Sequence, residues 1–179
     1  RFSGAEAGLS LQDGHFETSG VRIERPEGVV EITYRQNIGE AAYTMDVSGQ
    51  AHAADLRGLF GPETQQIFDH FTVEEPVVVS GQVTGPWETG EGTVDAKISG
   101  NGWTIRDVPF EALETQLYYG QERVRVTDLS MRHASGPVTA ERVDVALEED
   151  YATLHNVVSR ASPQAMAALF DEEDLELFD

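Results

Sequence analysis

The sequence predicts a mainly β protein: an extended, curved antiparallel β-sheet, groove-like and repeating, with two short linking helices. Apolar and polar residues alternate through most of the chain, as they do in strands that bury one face and expose the other. Glycine and proline interrupt these runs at hairpin-like intervals. Residues 16–30 and 124–138 also look like two copies of one design, and recurrence at a fixed period is typical of a repeating architecture.

The first strand block is predicted over residues 1–50. It contains a turn signal at Asp13-Gly14 and runs in which every second residue is apolar. These runs are Leu9 and Leu11; Val21 and Ile23; Val30, Ile32 and Tyr34; and Tyr43, Met45 and Val47. Polar residues such as Glu31 and Thr33 lie between them, so one face of this block is predicted to be buried and the other solvated.

The second strand block is predicted over residues 72–150. Its alternating runs are Val77 to Val83, Val94 to Ile98, Leu117 and Tyr119, Val124 and Val126, Leu129 and Met131, and Val143 to Leu147. Turns are predicted at Pro86 and at residues 90–92, 100–102, 120 and 136–137. At a constant offset of 108, Val21 matches Leu129, Ile23 matches Met131, Gly28 matches Gly136 and Val30 matches Val138. The second block therefore repeats part of the first.

Two helical segments are predicted to link these blocks. Residues 51–71 form the first, in which Asp55 caps a short turn and Pro62 occupies the first position of a helix over residues 62–70. Residues 151–179 form the second helical segment and the start of a further repeat. There Ser162 and Pro163 precede a run of good helix formers.

Composition excludes several classes of partner. The chain has 32 acidic and 12 basic residues among its 179, which gives a net charge of −20. Such a chain is repelled by nucleic acid and by anionic membrane surfaces, so neither is an expected partner. It has no cysteine, and no apolar run approaches the roughly 20 residues needed to cross a bilayer.

The sequence shows no arrangement of residues that supports catalysis. Its five histidines are scattered and lack the spacing of metal ligands, and its acidic pairs form no calcium-binding loop. No glycine-rich phosphate loop and no nucleophile elbow is present. We therefore expect no enzymatic activity, no catalytic residue, no metal and no cofactor.

Residues 98–147 resemble a known family. This segment runs from a strand through a turn with RDVPFEAL into an aromatic strand, then VRVTDLS, a glycine turn and VTAERVDV. It is similar to the C-terminal repeats of AsmA-like proteins, the bacterial envelope family related to TamB and to the bridge-like lipid transfer proteins. Residues 56–83 also resemble the linker of that family, a short helix followed by a strand that opens with proline.

The resemblance implies a non-enzymatic segment of an envelope protein that binds or conducts lipid acyl chains along an apolar β-groove between membranes. The implied partner is a phospholipid or another lipid, with other envelope proteins as further partners. The implied location is the periplasm or cell envelope, with membrane contact only through regions outside this chain. The residues expected to line the groove are Val30, Ile32, Tyr43, Met45, Val79, Ile98, Leu117, Val124, Val126, Leu129, Met131, Val143 and Val145.

The same residues allow two alternatives to a lipid-binding groove. In the first, the apolar faces of two sheets pack on each other in a closed β-sandwich, which serves as a structural or interaction module of a secreted or envelope protein. A carbohydrate-binding or adhesion module would instead use Trp87 and Trp103, which are predicted to lie near turns, as stacking platforms. The interpretation preferred for these tryptophans is that they cap the ends of a sheet.

Overall fold

The computed structural model describes residues 4–26, 28–56, 71–87, 92–121, 123–146 and 151–169. Within them the chain forms one open antiparallel sheet of eleven strands, which confirms the expected mainly β fold. The strands are β1 (Gly4–Gln12), β2 (His15–Arg25), β3 (Gly28–Asn37), β4 (Ala42–Ala51), β5 (Phe71–Val73), β6 (Val77–Pro86), β7 (Thr93–Ile105), β8 (Val108–Gly120), β9 (Arg123–His133), β10 (Gly136–Ala146) and β11 (Tyr151–Ser159).

The sheet is a meander in which β1 and β11 are the two edges. Only β5 lies off the path, because it pairs with β7 beyond the end of β6. Val73 is opposite Trp103, whereas β6 begins its pairing with β7 at Val78 and Ser99. All described strands belong to this sheet, so no second sheet covers either face within the described part of the chain.

The offset of 108 recurs in the strand bounds. Each end of β9, Arg123 and His133, follows the corresponding end of β2 by 108 residues. The first residues of β3 and β10, Gly28 and Gly136, have φ values of 154° and 148°. We call β1–β4 with the helix that follows the first repeat, and β8–β11 with the helix that follows the second repeat.

The described helices are short. The first helix, α1 (Ala53–Leu56), follows β4, and α2 (Pro163–Met166) with a 3-10 helix (Ala167–Leu169) follows β11. The Oγ of Ser162 accepts a hydrogen bond from the backbone N–H of Ala165 at 3.2 Å, so Ser162 is the N-cap of α2. The helix predicted over residues 62–70 and the further repeat predicted at residues 175–178 lie outside the described residues. Among the described helices, none is long and apolar enough to cross a membrane.

The prediction of a helical segment from residue 151 is wrong for its first part, which is strand β11. Asn156, at φ 50°, interrupts the alternation of this strand. As a result Leu154 and Val157 lie opposite Val143 and Ala140 on the same face, although they are three residues apart. A spacing of three is read as helical when only the sequence is considered.

The turn predicted at residues 100–102 is also wrong, because these residues lie inside β7. The turn from β7 to β8 is Arg106-Asp107, whose φ values of 43° and 66° are those of a two-residue hairpin with both central residues left-handed. Gly102, at φ 66°, instead shifts the alternation of β7 by one residue. Ala96 before it and Trp103 after it are both buried.

The buried core lies beneath α2, at one end of the second repeat. Its members are Val77, Trp103, Val108, Phe110, Leu113, Met131, Val138, Ala161 and Met166. Phe110 and Val77 are its most buried large side chains, and Leu169 of the 3-10 helix packs against the cluster. The covered part of the sheet is therefore the part that makes a conventional core.

Candidate functional site: the apolar face of the sheet

The pairing register places every expected groove residue on one face of the sheet. Residues directly opposite each other on paired strands share a face, so the register can be followed from strand to strand. One row of opposite residues crosses from β2 to β11, and we call it the main row. Its members are Val21, Ile32, Val47, Gly81, Ala96, Leu117, Val126, Val143 and Leu154. All of them are apolar. We call the face that carries this row the apolar face.

Neighbouring rows complete the apolar face. One of them contains Tyr34, Met45, Val83, Val94, Tyr119, Val124, Val145 and Ala152. Another contains Ile23, Val30, Gly49, Val79 and Ile98. Tyr43 belongs to this face in β4, and Leu129 and Met131 belong to it in β9, opposite Ala140 and Val138. The thirteen expected residues are thus brought together on one surface.

Most of these side chains are half-buried rather than core. Val124 and Met131 are buried, at 5% and 8% exposure, and Met131 belongs to the cluster beneath α2. The other expected residues are neither buried nor fully exposed. At the edges of the sheet, the apolar face becomes open, because Leu9 is 72% and Leu154 is 54% exposed.

Two glycines mark close approaches between paired strands. A Cβ built on Gly81 would lie 2.6 Å from the Cα of Ala96, the residue directly opposite. One built on Gly49, whose φ is 142°, would lie 2.7 Å from the Cα of Val30, again directly opposite. Both positions therefore require glycine, because a side chain there would collide with the backbone of the neighbouring strand.

The opposite face is polar and is crossed by ion pairs. In the first repeat, Asp46 binds Arg35 Nη1 at 2.8 Å through Oδ2 and Gln82 Nε2 at 2.7 Å through Oδ1. In β7 and β8, Lys97 Nζ lies 2.6 Å from Glu114 Oε1, and this hydrogen bond raises the pKa of Lys97. The charges of these ion pairs thus lie on the face opposite the apolar face.

Asp144 is the centre of a second polar group, on β10. Arg125 Nε donates to its Oδ1 at 2.8 Å, and Arg142 and His155 lie beside it. The hydrogen bond from Arg125 is the largest cause that lowers the pKa of Asp144, and the positive charge of Arg142 also lowers it. This group joins β9, β10 and β11 on the polar face.

The polar face also carries an open depression of about 890 Å³ beside the turn between β9 and β10. Its lining includes Glu75, Asn101 and Glu114 together with the ion pair between Arg132 and Glu111. These groups already bond to one another, as in the 3.3 Å hydrogen bond from Asn101 Nδ2 to Glu75 Oε2. No cluster of three or more His, Asp or Glu side chains that could hold a metal occurs among the described residues.

The two tryptophans do not form a pair of stacking platforms. Trp103 is only 6% exposed and packs against Phe71 with ring centroids 5.7 Å apart. Trp87 is 49% exposed and follows β6, where its backbone N–H donates to the carbonyl oxygen of Ala41 at 2.9 Å. Trp103 therefore belongs to the core.

Sequence reasoning missed some members of the main row: Val21, Val47, Gly81, Ala96 and Leu154. The first four lie in runs of visible alternation, so the face on which they lie could be predicted from the sequence. The face of Leu154 could not be predicted, because Asn156 shifts the alternation of β11.

Comparison of the chain with family models, with curated proteins and with solved structures finds no match. The class of protein is therefore defined by its fold and site: an open, repeating antiparallel sheet with one apolar face and one charged face.

Proposed function

We propose that the apolar face binds lipid acyl chains, and that the chain is a non-enzymatic segment of an AsmA-like envelope protein. The observation that carries the proposal is the unbroken apolar row from Val21 to Leu154. Strands in a sheet lie about 4.8 Å apart, so nine strands give this row a length of roughly 38 Å. The hydrocarbon of one bilayer leaflet is about 15 Å thick. The row is long enough for an acyl chain to lie along it.

The partial burial of the row supports a ligand rather than a second protein layer. An apolar surface that stays in water is unfavourable, and soluble proteins rarely expose large continuous patches without a function. Each CH₂ group removed from water contributes about 0.8 kcal/mol. About ten methylenes resting on Val126, Leu117 and their neighbours would contribute roughly 8 kcal/mol before the entropic cost of binding. Association costs roughly 4–15 kcal/mol in lost translational and rotational freedom, so the affinity depends on how many methylenes the face covers.

The distribution of charge supports a lipid whose head group stays in water. Lys97, Asp46 and Asp144 belong to the polar face, so no charge among the described ion pairs interrupts the main row. The net charge of −20 disfavours anionic head groups. We expect zwitterionic phospholipids to bind more tightly than anionic ones at low salt. This preference should weaken at high salt, because the Debye length falls from about 10 Å at 0.1 M to about 3 Å at 1 M.

The experiment is native mass spectrometry of the purified chain after incubation with phospholipid, using a matched pair of variants in β9. Val126→Asp places a charge in the main row, and Ser130→Asp places one on the exposed polar side of the same strand. We expect at least about tenfold weaker binding for Val126→Asp and an unchanged value for Ser130→Asp, since a carboxylate on the acyl path must be desolvated.

Thermal unfolding of both variants separates loss of binding from loss of folding. The proposal is contradicted if the folded parent chain carries and takes up no lipid, or if the two variants bind equally well.

A further inference from the structure

The two edge strands carry few of the charges by which proteins usually protect a sheet edge. Edge strands are commonly blocked by proline, by charged side chains, by β-bulges or by covering segments. β11 contains no Asp, Glu, Lys, Arg or proline, and β1 contains a single charged residue, Glu6. Each strand has one irregularity, between Glu6 and Gly8 in β1 and at Asn156 in β11, and the residues on either side of it remain in strand. Both edges therefore carry little charge in a chain whose net charge is −20.

Both edges also expose apolar side chains. Leu9 and Leu11 of β1 are 72% and 69% exposed, and Leu154 and Val158 of β11 are 54% and 59% exposed. Exposed apolar residues on an unprotected edge are a site for addition of a strand from another chain.

The interior of the sheet shows what each edge accepts. β8 of the second repeat corresponds to β1, and its outer side pairs with β7 from Val94 opposite Tyr119 to Ile105 opposite Val108. β4 of the first repeat corresponds to β11, and its outer side pairs with β6. Each edge strand thus has an internal counterpart whose equivalent side is occupied by an antiparallel strand with the same apolar face.

The strand directions allow β1 of one molecule to pair with β11 of another. The path through the sheet contains ten strands, all antiparallel to their neighbours, so β1 and β11 run in opposite directions. Each is nine residues long. Placing β1 of one molecule beside β11 of another therefore continues the antiparallel order, and Leu154 and Leu9 then lie on the same side of the sheet, the apolar face.

We infer that the chain associates head to tail, with β11 of one molecule pairing with β1 of a second molecule. Because this contact joins two different edges, it does not close, and it produces linear chains rather than only dimers. The apolar face then continues from one molecule to the next. The inference rests on the edges and not on lipid binding.

Crosslinking of introduced cysteines tests the inference, because the natural chain contains none. Leu11→Cys and Leu154→Cys each place a thiol on one edge, and both native side chains are mostly exposed. A short bis-maleimide should crosslink an equal mixture of these variants, and should crosslink neither variant alone. The protein carrying both substitutions should give a ladder that extends beyond dimers. A cysteine at Val78, which is 51% exposed on an interior strand, is the control and should give no product.

Sedimentation equilibrium of the unmodified chain gives an independent readout. We expect a mass that rises with concentration beyond twice 19.6 kDa. Leu154→Lys should weaken association at least about tenfold, because a charged edge residue opposes strand addition. Val78→Lys should leave it unchanged. A monomer at all concentrations, or crosslinked dimers from either single-cysteine variant alone, would overturn the head-to-tail arrangement.

Discussion

Met131 and Val138 in the second repeat are 8% and 7% exposed, whereas their counterparts in the first repeat, Ile23 and Val30, are only half-buried. Both pairs lie directly opposite each other in equivalent hairpins, so the strand design is the same. Among the described residues, Met166 of α2 belongs to the same buried cluster as Met131 and Val138 in the second repeat.

This difference separates two uses of one apolar face. Where α2 covers it, the face forms a core that stabilises the fold. Along the main row most residues remain half-buried, and there the same chemistry is available to a ligand. Alternation of apolar residues therefore identifies the face, while the short helix adds Met166 to the buried cluster at one end of it.

The largest expected effect is the loss of stability when an apolar residue of each repeat is replaced by Asp. Met131→Asp should destabilise the chain by more than about 4 kcal/mol, because a carboxylate without a partner would be buried beneath α2. Ile23→Asp, at the equivalent position of the first repeat, should cost less than half as much. Urea unfolding of both variants measures the difference. Equal losses of stability would mean that the two repeats are covered alike.

A smaller effect is expected when the helix cap is removed. Ser162→Ala deletes the acceptor of the hydrogen bond from Ala165, and such a loss typically costs about 0.5–2 kcal/mol. Ser162→Asp keeps an acceptor and serves as the control. Hydrogen exchange should show faster exchange around Met131 in Ser162→Ala, but not around Ile23. A uniform change over both repeats would contradict a local role of α2.

The smallest effect concerns pH and the polar face of the second repeat. Since Arg125 lowers the pKa of Asp144 in the folded chain, the carboxylate stabilises the fold above the unfolded value, near 3.8. This contribution is lost as the pH falls through the lower, folded pKa. Asp144→Asn should therefore lower the melting temperature slightly at pH 7, and the difference should shrink as the pH is lowered below 3.8. A difference that stays equally large as the pH falls would exclude the carboxylate as its cause.

Much of the sheet was predictable because its residues alternate. The runs around Ile32, Met45, Val79 and Val126 all form strands on the expected face, and the offset between the repeats was visible in short matches. The cap at Ser162 was also readable from the Ser-Pro sequence at the start of α2.

The shifts of alternation within strands could not be predicted, because they depend on backbone conformations that the residue types do not determine. Asn156 and Asp128 have φ values of 50° and 52°, and each shifts the alternation within its strand. Asp128 lies 108 residues after Gly20, which has φ 63°, so this irregularity is itself repeated, once with glycine and once without. Such a shift places residues three apart on one face, which hides a strand such as β11 from a search for alternation.

The burial of the apolar face beneath α2 could not be predicted from the sequence either. Met131 has the same alternation as Val126, and nothing in its own run distinguishes core from half-buried lining. Met131 is core because it belongs to the buried cluster that also contains Met166, and that cluster joins residues distant in the chain.

One measurement tests most directly whether the half-buried apolar row receives acyl chains. Single cysteines at Val126 and Ser130, on opposite faces of β9, are labelled with a small fluorophore and titrated with a fatty acid that carries a nitroxide on its acyl chain. If the row receives acyl chains, the label at residue 126 is quenched saturably and the label at residue 130 is quenched little. Equal quenching at both positions, or none at residue 126, would contradict it.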